Sequence, residues 1–415
     1  MMSPSNPGGS RDFLFTRKEM QMKHQSTRKY PEAVRSKERR AHVRSGRRFF
    51  ALGAALLLGW AAACPGGSLA GGQWITLTGE NAEQRIPSLA NDYTGDLTIT
   101  FLGDCTLGGE EKSRNSKLGF VRRIEENGMD FPFRNLCVLT EKDDLTVANL
   151  EGVLTDRKLE KVKKKYNFSG PTAYTEILQT GGIDGVTLAN NHSHDYGEEG
   201  YADTKAALEK AGIAWFGTDA PAVWQSEEGL LIGFLGVSFS LTGNRYKAYA
   251  RQAEMLKQLG CSAIITVMHA GTEYSYTPPD NYQQQIVSRA VRCGSHLIIG
   301  HHPHVVQGYT VQEGVPVVYS LGNCSFGGTT HAKDSDALAV QAVLSFREGR
   351  LTQIALHFYP ISITSDRQYN NYSPRLLTGK DAERVLEKMK KSTGTDPGEF
   401  TENEGASAVI PVRED

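Results

Sequence analysis

The chain has 415 residues, 39% of them hydrophobic, and a formal net charge of −1, enough length and apolar content to bury a large core. With 43 Gly and 16 Pro it suits a loop-rich α/β protein and excludes a disordered or fibrous one. Residues 1–70 hold 13 Lys/Arg against 4 Asp/Glu, leaving 33 basic and 43 acidic residues in the rest, and so acidic a body excludes nucleic acid as a partner, which calls for a basic face.

Residues 1–46 read as a basic, unpatterned leader, expected to be disordered; a start at Met20 or Met22 would shorten it. Arg39, Arg40, Arg44, Arg47 and Arg48 then run into an uncharged stretch from Phe49 to about Cys64, so residues 47–70 are expected to form an export signal or membrane anchor. The apolar run is short beside the about 20 residues of a spanning helix. "SLA" before Gly71 would suit a signal peptidase, "AAAC" at Cys64 a lipidation site and "RRFF" a twin-arginine route, and the three stay open. Residues 71–94 are polar and turn-rich and read as a linker.

The body is expected to span residues 95–392. "DLTITFLGD" (96–104), "DLTVANLEG" (144–152), "DGVTLANNHSHDYG" (184–197), "CSAIITVMHAG" (261–271) and "SHLIIGHHPH" (295–304) are each a short apolar run followed at once by polar residues, the pattern of strands that deliver side chains at their carboxyl ends. Helical spacing falls between them at 174–182, 201–212, 246–260 and 280–294, each segment ending at glycine, a common helix stop. Strands alternating with such helices predict a layered α/β fold, with ligands at the carboxyl ends of the strands. Residues 315–323 and 337–361 add an antiparallel layer that turns at "REGR", residues 379–392 a last helix, and residues 393–415 a polar tail expected to be disordered. The six cysteines, at 64, 105, 137, 261, 293 and 324, form no CxxC pair, which argues against a zinc ribbon and for small buried side chains.

Six of the eleven histidines sit in three of these strand ends: His192 and His194, His269, and His301, His302 and His304. Asp104, Asn149, Glu151 and Asn191 stand beside them. Imidazole combined with carboxylate and amide oxygen suits Zn, Mn or Fe. A glutamate bridging two such ions, about 3.5–4 Å apart, would build a centre that activates water and clamps a phosphoryl group. On an extended segment residues i and i+2 point to one side, so His302 and His304 are expected to reach one ion each, with Pro303 fixing the backbone between them. The lysine-rich run "KLEKVKKKYNFSG" (158–170) is either a solvated surface or a contact for an anionic substrate or polymer.

"FLGD", "ANLEG", "LANNHSHDYG", "HAGTEY", "GHHPHVVQG" and "YSLGN", in this order, resemble the CapA family of capsule or poly-γ-glutamate synthesis proteins, over roughly residues 95–390. That resemblance implies a metallophosphoesterase-like fold, a β-sandwich flanked by helices in α/β/β/α layers, and one or two divalent metal ions. It implies Asp104 and His304 on a first ion, Asn191, His269 and His302 on a second, and Glu151 as the bridge. It implies His192 as the group that protonates a leaving group or binds phosphate, with Asp195 orienting it. Glu273, Tyr274 and Asn323 are expected to wall the substrate pocket, and Asn149 either to join them or to be structural.

Thr106 stands where phosphoesterases of this type carry the histidine of D-x-H, which implies a weaker first site or a single ion. Ala270 and His194 also depart from the family pattern, and His194 is expected to pack locally, the alternative being an extra ligand. The expected role is that of an exported, membrane-associated protein of capsule or poly-γ-glutamate production, with a phosphoester-hydrolase site and a membrane synthase complex as partner. The alternative is a non-catalytic subunit in which the metal clasps a polymer or a synthase.

Overall fold

The computed structural model describes residues 72–79, 92–277 and 279–412. The leader and the signal or anchor segment expected within residues 1–70 lie outside the described residues. No helix of the described residues is long and apolar enough to cross a membrane.

The strands, in chain order, are β1 (Gly72–Thr76), β2 (Gly95–Thr106), β3 (Leu145–Leu150), β4 (Val153–Leu154), β5 (Ser169–Gly170), β6 (Gly185–Thr187), β7 (Ala214–Phe216), β8 (Ala222–Ser226), β9 (Leu231–Ser238) and β10 (Ala263–His269). They continue with β11 (Leu297–His301), β12 (Val306–Gln312), β13 (Val315–Leu321), β14 (Asn323–Phe326), β15 (Asp336–Arg347), β16 (Arg350–Ser362), β17 (Arg375–Leu376), β18 (Phe400–Thr401) and β19 (Gly405–Pro411). The helices are α1 (Phe120–Asn127), α2 (Cys137–Thr140), α3 (Thr175–Thr180), α4 (Gly197–Ala211), α5 (Gly243–Gln258), α6 (Asn281–Arg292) and α7 (Gly379–Thr393).

One sheet runs β1-β8-β9-β10-β11-β13-β12, the other β18-β19-β16-β15-β2-β3-β6-β7, with β14 beside β2 and β17 beside β16. Strands β9, β10, β11 and β13 are mutually parallel, as are β2, β3, β6 and β7. Their near-continuous apolar runs, such as "AIITVMH" in β10, fit strands covered on both faces.

Ile99, Phe101 and Val340 from one sheet pack with Phe234, Ile265 and Ile299 from the other. Phe120, Ile177 and Leu208 of α1, α3 and α4 cover the outer side of the second sheet. Tyr249, Leu256 and Ile286 of α5 and α6 cover the first. The layers are therefore α/β/β/α, as the sequence led us to expect.

The domain is wider than residues 95–392. Part of the expected linker, residues 71–94, is β1, which pairs with β8 and sets Trp74 against Phe234 at 4.8 Å. Within the expected tail, 393–415, residues 400–411 form β18 and β19, and β19 pairs with β16. "GASAVIP" buries Ala406 and Ile410, an alternation too short and too poor in large apolar residues to stand out in the sequence.

Candidate metal centre

The carboxyl ends of β2, β3 and β6 in one sheet and of β10 and β11 in the other converge on one buried cluster. At the end of β2, Gly103 lets the chain bring Asp104 in close: a Cβ there would stand 2.3 Å from the Gly322 carbonyl, which accepts the Asp104 N–H at 3.0 Å. Gly322 itself has φ +72°, a conformation that favours glycine. The glycines of "FLGD" and "YSLGN" thus fit each other.

Asp104 Oδ1 accepts Asn149 Nδ2 at 2.7 Å, and Oδ2 accepts the His302 N–H at 3.3 Å. His301 Nδ1 and His304 Nδ1 lie 3.2 and 3.3 Å from its two oxygens. Burial alone would raise the Asp104 carboxyl, but its contacts with His301 and His304 hold it well below the usual carboxylate range. His301 thus contacts Asp104 through Nδ1.

Glu151 is fully buried, and neither of its carboxylate oxygens has a hydrogen-bond partner. Burial and the neighbouring Asp104 charge push its carboxyl up to about 8. His269 is held well below the usual histidine range by burial and His302, and His302 is lowered to about 4 by burial and His304. In His304 burial works the other way but is outweighed by Glu151 and Asp104, which raise it to about 9.

Glu151, His269 and His302 form one group whose ligand atoms lie within 4.8 Å of one another, and Asp104, Glu151 and His304 form another. The two groups share Glu151. Two neutral imidazoles and two carboxyl groups, one of them with both oxygens buried and without a donor, are a set that divalent cations fit, because a buried carboxylate otherwise carries an uncompensated desolvation cost. Asn191 joins the group of His269 and His302: its Oδ1 lies 2.7 Å from His269 Nε2, which is 3.0 Å from His302 Nδ1.

The expected geometry of "HHPH" needs correction. His302 and His304 do not lie on an extended segment; both have positive φ, +99° and +56°. They are presented by a sharp bend after β11, so each ring reaches its own group through the turn and not through strand alternation.

His192 Nδ1 lies 2.7 Å from Asp195 Oδ2, and its Nε2 lies 3.7 Å from Glu151 Oε1. Burial lowers the His192 ring below its ordinary value, and Asp195 partly offsets this. Asp195, wholly buried, also accepts the Phe168 N–H at 2.6 Å and pairs with Lys164. Lys164 Nζ reaches the Asn191 carbonyl at 2.7 Å as well, and Phe168 stacks on the His192 ring at 4.2 Å. The lysine-rich run is thus fastened to the site at Lys164, which composition alone did not single out.

Two expected wall residues lie elsewhere. Asn149 is fully buried beneath the centre and accepts Asn190 Nδ2 at 2.9 Å. Asn323, also buried, stands 2.8 Å from His304 Nδ1. Both hold other site residues in place. Glu273 and Tyr274 do line a groove of about 420 Å³ with His192, His304, Lys165 and Lys333. His194 is no part of the cluster: it stacks on Tyr201 at 4.3 Å. Asn190, which sequence reasoning passed over, donates to Asn149 and Leu150 and accepts the His192 N–H; the doubled asparagine was its one signal. Thr106, in place of the D-x-H histidine, donates to the Glu151 carbonyl at 2.9 Å.

Residues 98–327 match the family model of the bacterial capsule synthesis protein PGA_cap. The chain is similar to the capsule biosynthesis protein CapA of Bacillus anthracis, at 26% identity over 324 residues, 72% of this chain and 74% of that one. It is similar also to the PGA biosynthesis protein CapA of Bacillus subtilis (strain 168), at 26% identity over 267 residues, 59% of this chain and 67% of that one. Among solved structures, the calcineurin-like phosphoesterase YfkN of Bacillus subtilis is similar at 14% identity and a TM-score of 0.37, over 68% of this chain and 95% of that one. With more than half of its length matched by the family model, the chain belongs to the PGA_cap family of bacterial capsule synthesis proteins.

Proposed function

We propose that the protein acts outside the cytoplasm, at the cell membrane, in capsule or poly-γ-glutamate production or export, and that its buried cluster is a divalent-metal site for phosphoester hydrolysis. The observation that carries this reading is Glu151, shared by two ligand groups with both oxygens unpartnered. Family membership and the names of the two relatives support the capsule or poly-γ-glutamate assignment. The basic segment followed by an uncharged run at residues 39–64 supports export.

Mn, Zn or Fe bound there would supply water activation and neutralise phosphoryl charge. Asp104 and His304 would hold one ion, Asn191, His269 and His302 the other, with Glu151 between them. The rest falls to the chain. His192, its Nδ1–H held by Asp195, presents Nε2 towards the cluster; protonated there from solvent, it passes that proton to the leaving oxygen as water oxygen bonds to phosphorus, the phosphorus–oxygen ester bond breaks and the proton of the water returns to solvent. Phe168 stacked on the ring limits its rotation. Lys165 and Lys333 along the groove attract an anionic substrate or polymer, and a capsule or poly-γ-glutamate synthase complex in the membrane is the partner this role calls for.

A second reading, a metal-clasped subunit without turnover, draws on Thr106: the first ligand group has no D-x-H histidine. Screening the full chain against phosphoesters with Mn, Zn and Fe(II) separates the two. Turnover abolished by His192→Ala supports the hydrolase; tight binding of poly-γ-glutamate with no turnover supports the clasp.

A further inference from the structure

One groove opens at His192. A separate cavity of about 540 Å³ is lined by Asn191, His194, Tyr201, Phe239, Arg245 and Gln252 among others. It shares no lining residue with the groove and meets the centre at Asn191.

Phe239 is the unusual member. It follows β9 directly, has φ +61°, and is 43% exposed. A bulky aromatic side chain in the left-handed region is strained, by about 1–2 kcal/mol. The surroundings enforce it: the Phe239 N–H is bound to the His269 carbonyl at 3.0 Å, and its ring stands edge-on to His302, 6.2 Å between centroids. Packing covers only part of the ring. Across the cavity lies the His194–Tyr201 stack, which gives His194 a place without making it a ligand. Phe239 at the mouth and the exposed His194 ring on the wall, with Arg245 and Gln252 for polar contacts, fit a flat ring better than an aliphatic chain.

Resting on the phosphoester reading above, we propose that this cavity is the subsite for a flat ring on the retained arm of a phosphodiester, stacked by Phe239. If His192 serves the leaving oxygen, the leaving arm occupies the groove. A second opening at Asn191 then has a use only when phosphorus carries another organic arm.

The test uses inert probes on the full chain loaded with Mn. Phenylphosphonate carries its ring through a phosphorus–carbon bond and so mimics the retained arm; methylphosphonate lacks the ring, and cyclohexylphosphonate matches its size without the flat face. Calorimetry is expected to give about tenfold tighter binding of phenylphosphonate than of either of the others. Phe239→Ala should reduce that preference to about twofold with Mn affinity unchanged. In turnover, bis(4-nitrophenyl) phosphate and methyl 4-nitrophenyl phosphate share a leaving group, and Phe239→Ala should lower the ratio of their kcat/KM about fivefold. Equal affinity for the three phosphonates, or a preference that survives Phe239→Ala, overturns the subsite and leaves the phosphoester reading standing. Failure of every phosphonate to bind the Mn-loaded protein overturns both.

Discussion

Glu151 Oε1 stands 3.7 Å from His269 Nε2, both side chains wholly buried, with no hydrogen bond on either carboxylate oxygen. An acid so placed is adverse to folding unless something positive sits against it. Glu151→Gln keeps the shape and removes the charge. On the proposed metal reading it should weaken divalent-ion binding at least about 100-fold, while the metal-free protein stays as stable as its parent or more so. Isothermal titration with Mn or Zn, paired with thermal melts in chelator, checks both halves; unchanged ion affinity would sink the bridging role.

Asp195 holds His192 Nδ1 at 2.7 Å. Asp195→Asn should leave metal content intact and slow phosphoester turnover by about 10- to 1,000-fold, through loss of a correctly oriented proton donor. His192→Ala should do at least as much. Metal analysis and kcat on the same preparations decide it, and loss of metal in Asp195→Asn would show that the residue acts on the ligands instead.

Far from the centre, at the amino end of β3, burial pushes the Asp143 carboxyl from 3.8 up to about 7, helped by the charges of Asp184 and Asp144 and opposed by Thr100 and Thr146. Asp184 is raised by burial to about 6. The unfolded chain releases these protons near 3.8 and the folded chain near 6–7, so between those values the folded state binds more protons and stability falls as pH rises. Asp143→Asn keeps an acceptor for the Thr146 hydroxyl, which now donates at 2.6 Å. Its stability relative to the parent should improve by on the order of 2 kcal/mol from pH 4 to pH 8. Urea melts across that range test this; a difference that does not change with pH contradicts it.

The C-terminal strand belongs to the core. Ile410 is 6% exposed and packs with the cluster between the sheets, and β19 closes the edge of β16. Ile410→Ala should cost about 2–4 kcal/mol, measured by denaturant unfolding. A loss below about 0.5 kcal/mol, the level of an ordinary surface change, would mean the strand is dispensable.

Strand ends carrying Asp104, Glu151, Asn191, His269 and His302 were legible because parallel strands buried on both faces leave long apolar runs that stop abruptly at polar residues. Their convergence from two sheets followed only from the family resemblance, since spacing within one strand says nothing about which sheet it joins. The bend at His302 and His304 escaped because Pro303 is compatible with extended chain, and only the packed structure shows both histidines at positive φ. Asn323 looked like pocket wall from its motif and Asn149 like wall or support, yet amide groups serve equally to hold other side chains, and their burial decides for the second use. Strands β1 and β19 were missed because short segments acquire strand structure from the partner they pair with, β8 and β16, more than from their own residues.

The central claim is that the cluster binds divalent ions through the histidines after β11. Elemental analysis of the purified full chain, after incubation with Mn, Zn or Fe(II) and removal of excess, measures it directly, alongside the double variant His302→Ala, His304→Ala. The account predicts one or two ions per chain in the parent and their loss in the variant. A parent that retains no divalent ion, or a variant that retains as many, would contradict it.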